Sequence, residues 1–231
     1  MKNSTLLSPA AQFDRDGFLV VTDLLNPEEC DKLKIEARAV LDEHGSNGRS
    51  VYVHVAVVSE MYRALAEDDR VIKMLKPVMP HGIMFLSDKI VYKSAEKSFP
   101  TPSHVDCFYW PNTRPKLSVW IPLDDTTAEN GTLTVVPGSH KRDWRMVAKR
   151  QDKGEFHNTI EDGDWKAGDV VTCAIKRGSA IIFSDRLVHA STSNTAGKDR
   201  YVVINTYHAP APDEAFDLDF PARKVILPAA T

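Results

Sequence analysis

A mainly β fold, a sandwich or barrel braced by helices gathered toward the N-terminus, is what this sequence predicts. Three observations carry the prediction. From Ile83 onward the chain breaks into short β-prone runs divided by Pro, Gly, Asn and Asp. The first third carries helix start and stop signals instead. The length of 231 residues suits one sizeable core. Residues 1–231 are therefore expected to form a single domain, with helical support over about 1–80 and a β core over about 83–210.

Taken in order, Ser8 and Pro9 begin a helix by a cap followed by Pro, and Gly17 ends it. Phe18-Leu-Val-Val21 is a β-prone apolar run. Asn26-Pro27-Glu-Glu29 opens a second helix, in which Leu33, Ile35, Ala37, Ala39, Val40 and Leu41 are partly spaced for an apolar face and Gly45 is the C-cap. A third helical region runs from Ser59 to about Lys76. The clearest strands are Lys89 to Lys93, Lys116 to Leu123, Thr132 to Val136, Asp169 to Thr172, Ser179 to Phe183 and Tyr201 to Tyr207. Between them, Ser139 to Gly168 is a long polar stretch with Trp144 and Trp165, a length that suits a lid or insertion better than a spacer.

Bulk composition narrows the function classes. With 29 basic against 32 acidic residues, a formal charge of -3 and no basic run, nothing in the chain points to nucleic acid or an anionic membrane. Cys30, Cys107 and Cys173 are widely spaced without a Cys-x-x-Cys pattern, which reads as reduced thiols rather than a disulfide framework or zinc ribbon. The start lacks a signal-peptide pattern, and no run approaches the roughly 18 apolar residues of a membrane span. A cytoplasmic protein acting on a small molecule is expected; its oligomeric state is not written in the sequence.

Chemistry enters with His104-Val-Asp106 and, 85 residues after the first His, His189. Alternate side chains of a strand face the same way, so His104 and Asp106 would project together into a barrel mouth while Val105 and Cys107 point away. His189 follows the run Ala180-Ile-Ile-Phe183, so a strand of the facing sheet is expected to deliver it from across the barrel interior. Two imidazoles and one carboxylate on one side of a metal, with other positions open, are the facial triad of non-haem Fe(II) oxygenases. Eleven residues past His189, Arg200 is a fixed cation suited to a dicarboxylate. Asn130-Gly131 reads as a turn, and so does Pro137-Gly-Ser-His140, with His140 serving the loop rather than a metal.

Further motifs fall in a fixed order: Trp120-Ile-Pro-Leu-Asp-Asp125, Glu129-Asn-Gly-Thr-Leu-Thr-Val-Val-Pro-Gly-Ser-His140, and His189-Ala-Ser191-Thr-Ser-Asn194 before Arg200. With the triad and the opening Phe13-Asp-Arg-Asp-Gly-Phe-Leu-Val-Val21, the chain resembles the phytanoyl-CoA dioxygenase family of Fe(II)- and 2-oxoglutarate-dependent oxygenases over most of its length. The resemblance implies a double-stranded β-helix, or cupin-like jelly roll. It implies that His104, Asp106 and His189 bind Fe(II), that Arg200 pairs with the distal carboxylate of 2-oxoglutarate, and that Ser191 donates a hydrogen bond to that carboxylate. Lys93 matches a lysine common in the family; cosubstrate, substrate and solvent are all open as its partner.

The activity implied is hydroxylation with O2, releasing succinate and CO2. Halogenating relatives replace the carboxylate by a small residue so that chloride binds, so Asp106 favours hydroxylation or a related desaturation or cyclisation. Ser103 and Val105 stand where the family frequently has Trp and Gln, so the substrate is not carried over. Phe108, Tyr109 and Trp110, with Arg114 and Lys116 nearby, suggest an aromatic wall with a few cations at the mouth. Trp110 and Phe108 lead the substrate candidates, followed by Thr192 and Tyr92; for Trp110, packing of the barrel rim is the competing role. A small polar metabolite or natural-product intermediate fits. The rival reading is a cupin-like metal- or sugar-binding barrel without 2-oxoglutarate chemistry, which would have no need of an Arg200 and Ser191 clamp.

Overall fold

Local signals set the helices. In the computed structural model, which describes residues 7–45, 50–144, 159–160, 165–210 and 218–229, helix α1 spans Pro9–Asp16. The Ser8 hydroxyl accepts from the Ala11 N–H at its start, and Gly17 at φ +81° ends it, donating its N–H to the Phe13 carbonyl. Helix α2, Pro27–His44, opens with a capping box in which Asn26 and Glu29 each accept the other's backbone N–H, at 2.9 and 2.7 Å. It buries Cys30, Leu33, Ala37 and Val40, one stripe at helical spacing. Ile35 and Ala39, expected on the apolar face, lie off that stripe and are exposed.

The third helical region is two helices, α4 (Glu60–Ala66) and α5 (Asp69–Leu75). Asp68 breaks it, because its carboxylate caps α5 by accepting from the Arg70 N–H at 2.8 Å. A short helix α3, Val55–Val58, precedes them; at four residues it offers no periodicity to read.

Among the described residues, eleven antiparallel strands form two sheets. The larger holds β1 (Phe18–Val21), β8 (Ala180–Ser184), β5 (Lys116–Pro122), β10 (Arg200–His208), β3 (Ile83–Lys93) and β11 (Lys224–Leu227) in that order, with β2 (Val51–Val53) also paired to β3. The smaller is β4 (Thr101–His104), β9 (His189–Ser191), β6 (Leu133–Val135) and β7 (Val171–Thr172). The architecture is a jelly roll.

Both faces of the larger sheet are covered, which explains why β5, β8 and β10 are buried at every residue, the polar ones included. Along β8, Ala180 and Ile182 pack toward the helices with Leu33, Leu65 and Leu75. Ile181 and Phe183 pack between the sheets with Leu133 and Val135. Arg200, Val202 and Ile204 of β10 share this inner side with Lys89, Val91 and Lys93 of β3. The interior so formed opens beside the end of β4.

Candidate active site

His104 is the last residue of β4 and His189 the first of β9, and the two are cross-strand partners. The second imidazole therefore comes from the neighbouring strand of the same sheet rather than across the interior. Strand alternation also stops at Val105. That residue is still extended (φ -122°, ψ 135°), but Asp106 opens a 3-10 turn through Tyr109, fixed by the Cys107 N–H donating to the Asp185 carbonyl at 2.9 Å. The turn sends Cys107 and Phe108 into a cluster with Val105, Val136 and Val188.

Asp106 Oδ1 lies 3.5 Å from His104 Nε2 and 3.7 Å from His189 Nε2, and the two rings are 4.1 Å apart between centroids. Each Nδ1 meets the carbonyl two residues before it, Pro102 at 2.8 Å and Leu187 at 2.9 Å. Those contacts hold the Nδ1–H tautomer and turn both Nε2 lone pairs toward Asp106, the outer support characteristic of metal-binding histidines. Ser118 on β5 donates to Asp106 Oδ2 at 3.3 Å. Burial, and then the neighbouring His104, pushes His189 down to about 4, so it stays neutral as a ligand must. Burial opposes ionisation of Asp106, but the imidazoles outweigh it and hold the carboxyl below its ordinary range. Among the described residues this is the one cluster of three such side chains able to share an ion, and two imidazoles with a carboxylate suit Fe(II).

Beside the triad lies a second construction. Arg200 and Lys93 are cross-strand partners and both buried. Arg200 donates Nη2 to the Gly131 carbonyl at 2.8 Å and Nε to the Asn130 carbonyl at 3.3 Å, while its buried Nη1 has no partner among the described residues. Lys93 donates to Ser191 Oγ and to the Thr192 carbonyl, both at 2.7 Å. Burial brings Arg200 down to about 10, and burial with the Arg200 charge brings Lys93 to about 7. Two adjacent buried cations that have no carboxylate at ion-pair distance among the described residues, one with an unused donor, form a receptor for an anion.

The sequence motifs account for this receptor. The Asn130-Gly131 turn supplies the carbonyls that aim Arg200, and a Cβ on Gly131, which sits at φ +81°, would stand 2.6 Å from the Thr192 carbonyl oxygen and 3.2 Å from Lys93 Cδ. Asn194 donates Nδ2 to the carbonyls of Lys93 and Lys198, at 3.0 and 2.6 Å, and so ties β3 to the loop before Arg200. The Trp120 ring lies 5.9 Å from the Arg200 guanidinium. His140 is held on the outside by the Asp14 carbonyl at 3.1 Å.

The triad and Arg200 line one cavity of about 560 Å³, open solvent at its mouth included, with Val51, Lys89, Val91, Phe183 and Ile204 among its walls and Lys93 behind them. Ser191, expected at the cosubstrate, lines it; the substrate candidates Trp110, Phe108, Thr192 and Tyr92 do not. Tyr92 points to the opposite face of β3, donating to Asp199 and lying on Tyr201. The Thr192 hydroxyl donates to the Ala128 carbonyl. Trp110 lies against the Lys116 ammonium, and Phe108 joins the cluster around Val105. Tyr109 is the member of that aromatic run facing the triad, edge-on to His104 at 6.2 Å. Lys89 escaped the sequence reading, although Lys89, Val91 and Lys93 alternate along one strand face. The lid expected over 139–168 falls mostly on residues outside those described; at its described ends Trp144 and Trp165 meet edge-on at 5.7 Å.

A family model, phytanoyl-CoA dioxygenase, matches residues 13–202. The chain belongs to the phytanoyl-CoA dioxygenase family. Among relatives of this family member, the ectoine dioxygenase of Sphingopyxis alaskensis is 24% identical over 87% of this chain and 74% of its own length. The L-proline trans-4-hydroxylase of Streptomyces griseoviridis is 23% identical over 89% and 87%. In fold it resembles the epimerase SnoN solved with Fe3+, alpha ketoglutarate and nogalamycin RO, with a TM-score of 0.74 and 23% identity over 92% of this chain and 88% of that one. It also resembles EctD of S. alaskensis with 2-oxoglutarate and 5-hydroxyectoine, with a TM-score of 0.71 and 24% identity over 90% and 78%. No helix among the described residues is long and apolar enough to cross a membrane.

Proposed function

We propose that this chain is a non-haem Fe(II)- and 2-oxoglutarate-dependent dioxygenase that hydroxylates a small polar metabolite or natural-product intermediate. The observation that carries this reading is the conjunction of a His-Asp-His cluster with a buried Arg200–Lys93 pair that, among the described residues, has a free donor and no counter-ion. His104 Nε2, Asp106 and His189 Nε2 hold the metal. Bound Fe(II) supplies the oxidation of substrate by O2, coupled to conversion of 2-oxoglutarate to succinate and CO2.

The protein's own part is positioning. Arg200 Nη1 and the Lys93 ammonium take the distal carboxylate of 2-oxoglutarate, and Ser191 turns its hydroxyl proton to the same group. Asp106 stays ionised and His189 neutral, so both offer lone pairs without first losing a proton. Ser118 fixes the carboxylate plane from the facing sheet, and Val91, Phe183 and Ile204 exclude water from the reacting centre.

The relatives named for ectoine and L-proline support a small polar substrate. The widely spaced cysteines, read as reduced thiols, favour a cytoplasmic enzyme, the charge of -3 without a basic run favours one that does not engage nucleic acid, and we take the chain as one catalytic unit. Succinate release from 2-oxoglutarate, matched to O2 consumption and lost in Asp106→Ala, is the expected result. Wild-type protein that binds Fe(II) yet forms no succinate would mark a metal-binding barrel of another kind.

A further inference from the structure

Lys89 is the one cavity-lining cation that the cosubstrate does not explain. It sits four residues before Lys93 on the same face of β3, roughly 13 Å along the strand from the Arg200–Lys93 receptor. Its cross-strand neighbours, Ile204 and Val53, are apolar. Among the described residues its ammonium has no hydrogen-bond or ion-pair partner, and its charge reaches both Asp106 and His189. A half-buried lysine in an apolar wall, near the triad and with its hydrogen-bond donors unused among the described residues, is placed to take an anion that enters the cavity. A dicarboxylate cosubstrate has two carboxylates, one for the Arg200–Lys93 pair and one for the open metal positions, so it leaves Lys89 unspent.

Resting on the proposed function, we infer that Lys89 binds a carboxylate of the substrate and so selects a small carboxylic acid, amino acids included. A single ammonium matches a monoanionic carboxylate; a phosphate would call for several cations, as a dianion does at the receptor. Anchored there, the substrate lies along the apolar wall of Val51 and Val91, with the carbons beyond its carboxylate beside the triad. Lys89 is thus a positioning and specificity residue, and the acid group it holds is not the group oxidised.

The test presents aliphatic, cyclic and aromatic acids, each beside its primary amide, L-proline with L-prolinamide among them, and reads substrate-triggered succinate release. Acids should trigger turnover at least about tenfold better than their amides, since a hydrogen bond between two charged groups is stronger than one to a neutral amide. Lys89→Met, which keeps the unbranched stem, should abolish that preference and raise KM for the acid, and Lys89→Arg should restore it in part. The visible charge-transfer band of the anaerobic Fe(II)–2-oxoglutarate complex, recorded for each variant, shows whether the fold and cosubstrate site stand. Amides that serve as well as acids, a panel in which no acid triggers turnover, or a Lys89→Met enzyme that still prefers acids would overturn the inference while the band is present. Absence of the band in the wild type would overturn the proposed function itself.

Discussion

Gly131 shows how narrowly the anion receptor is drawn. It holds φ +81°, its carbonyl accepts Arg200 Nη2, and the space a Cβ would need is filled by the Thr192 carbonyl and Lys93. Gly131→Ala should destabilise the protein by about 1–3 kcal/mol in denaturant titrations and weaken 2-oxoglutarate binding more than Fe(II) binding. Ser118→Ala frees one oxygen of Asp106 without touching a metal donor, so Fe(II) affinity should fall by about tenfold while the 2-oxoglutarate receptor is untouched. Lys93, held near 7 by burial and Arg200, gains its charge back when an anion binds. Between its free value and the higher value in the complex, binding takes up a proton. Affinity for 2-oxoglutarate should therefore fall as pH rises above about 7, and this slope should flatten in Lys93→Met; an equal slope in both proteins would remove Lys93 from the receptor. At this scale the triad and Arg200 were legible because few chemistries need such donors together. Lys89 and Ser118 were not, because their importance comes from which inner-face position they occupy.

At the scale of elements, caps and turns were the readable signals. Ser8, Gly17 and the Asn26–Glu29 box mark helix ends by bonds made within four residues, so the sequence holds both partners. The pairing of strands β4 and β9 was hidden: each is three or four residues long, and their contact in one sheet brings together residues 85 apart. Helix α3 is set from outside in the same way, by the buried Asp88 carboxylate accepting the Ala56 N–H at 2.9–3.0 Å. Burial raises Asp88 to about 6, above its unfolded value of 3.8. Between those values the native state holds a proton the unfolded chain has released, so stability declines as pH rises from about 4 to 6 and levels off above. The decline from this group is at most about 3 kcal/mol. Asp88→Asn should remove it when unfolding is followed by denaturant across that range, and an undiminished decline would assign it elsewhere.

For the whole molecule, the two sheets divide the labour. The smaller sheet carries His104 and His189 side by side, and the larger sheet faces them with Ser118, Lys93, Arg200 and Lys89. Helices on the outer face of the larger sheet let its strands be apolar on one side while the other side carries charge. The sequence showed a β architecture and a metal triad, but which sheet holds which group depends on the jelly-roll order of strands, which local patterns do not encode. The central claim is that metal cluster and anion receptor form one site for Fe(II) and 2-oxoglutarate. The most direct measurement adds Fe(II) and then 2-oxoglutarate to metal-free protein under anaerobic conditions and records the visible spectrum. A charge-transfer band should appear in the wild type, vanish in Asp106→Ala, and in Arg200→Ala require at least about tenfold more 2-oxoglutarate. Folded wild-type protein that binds Fe(II) without that band would contradict the account.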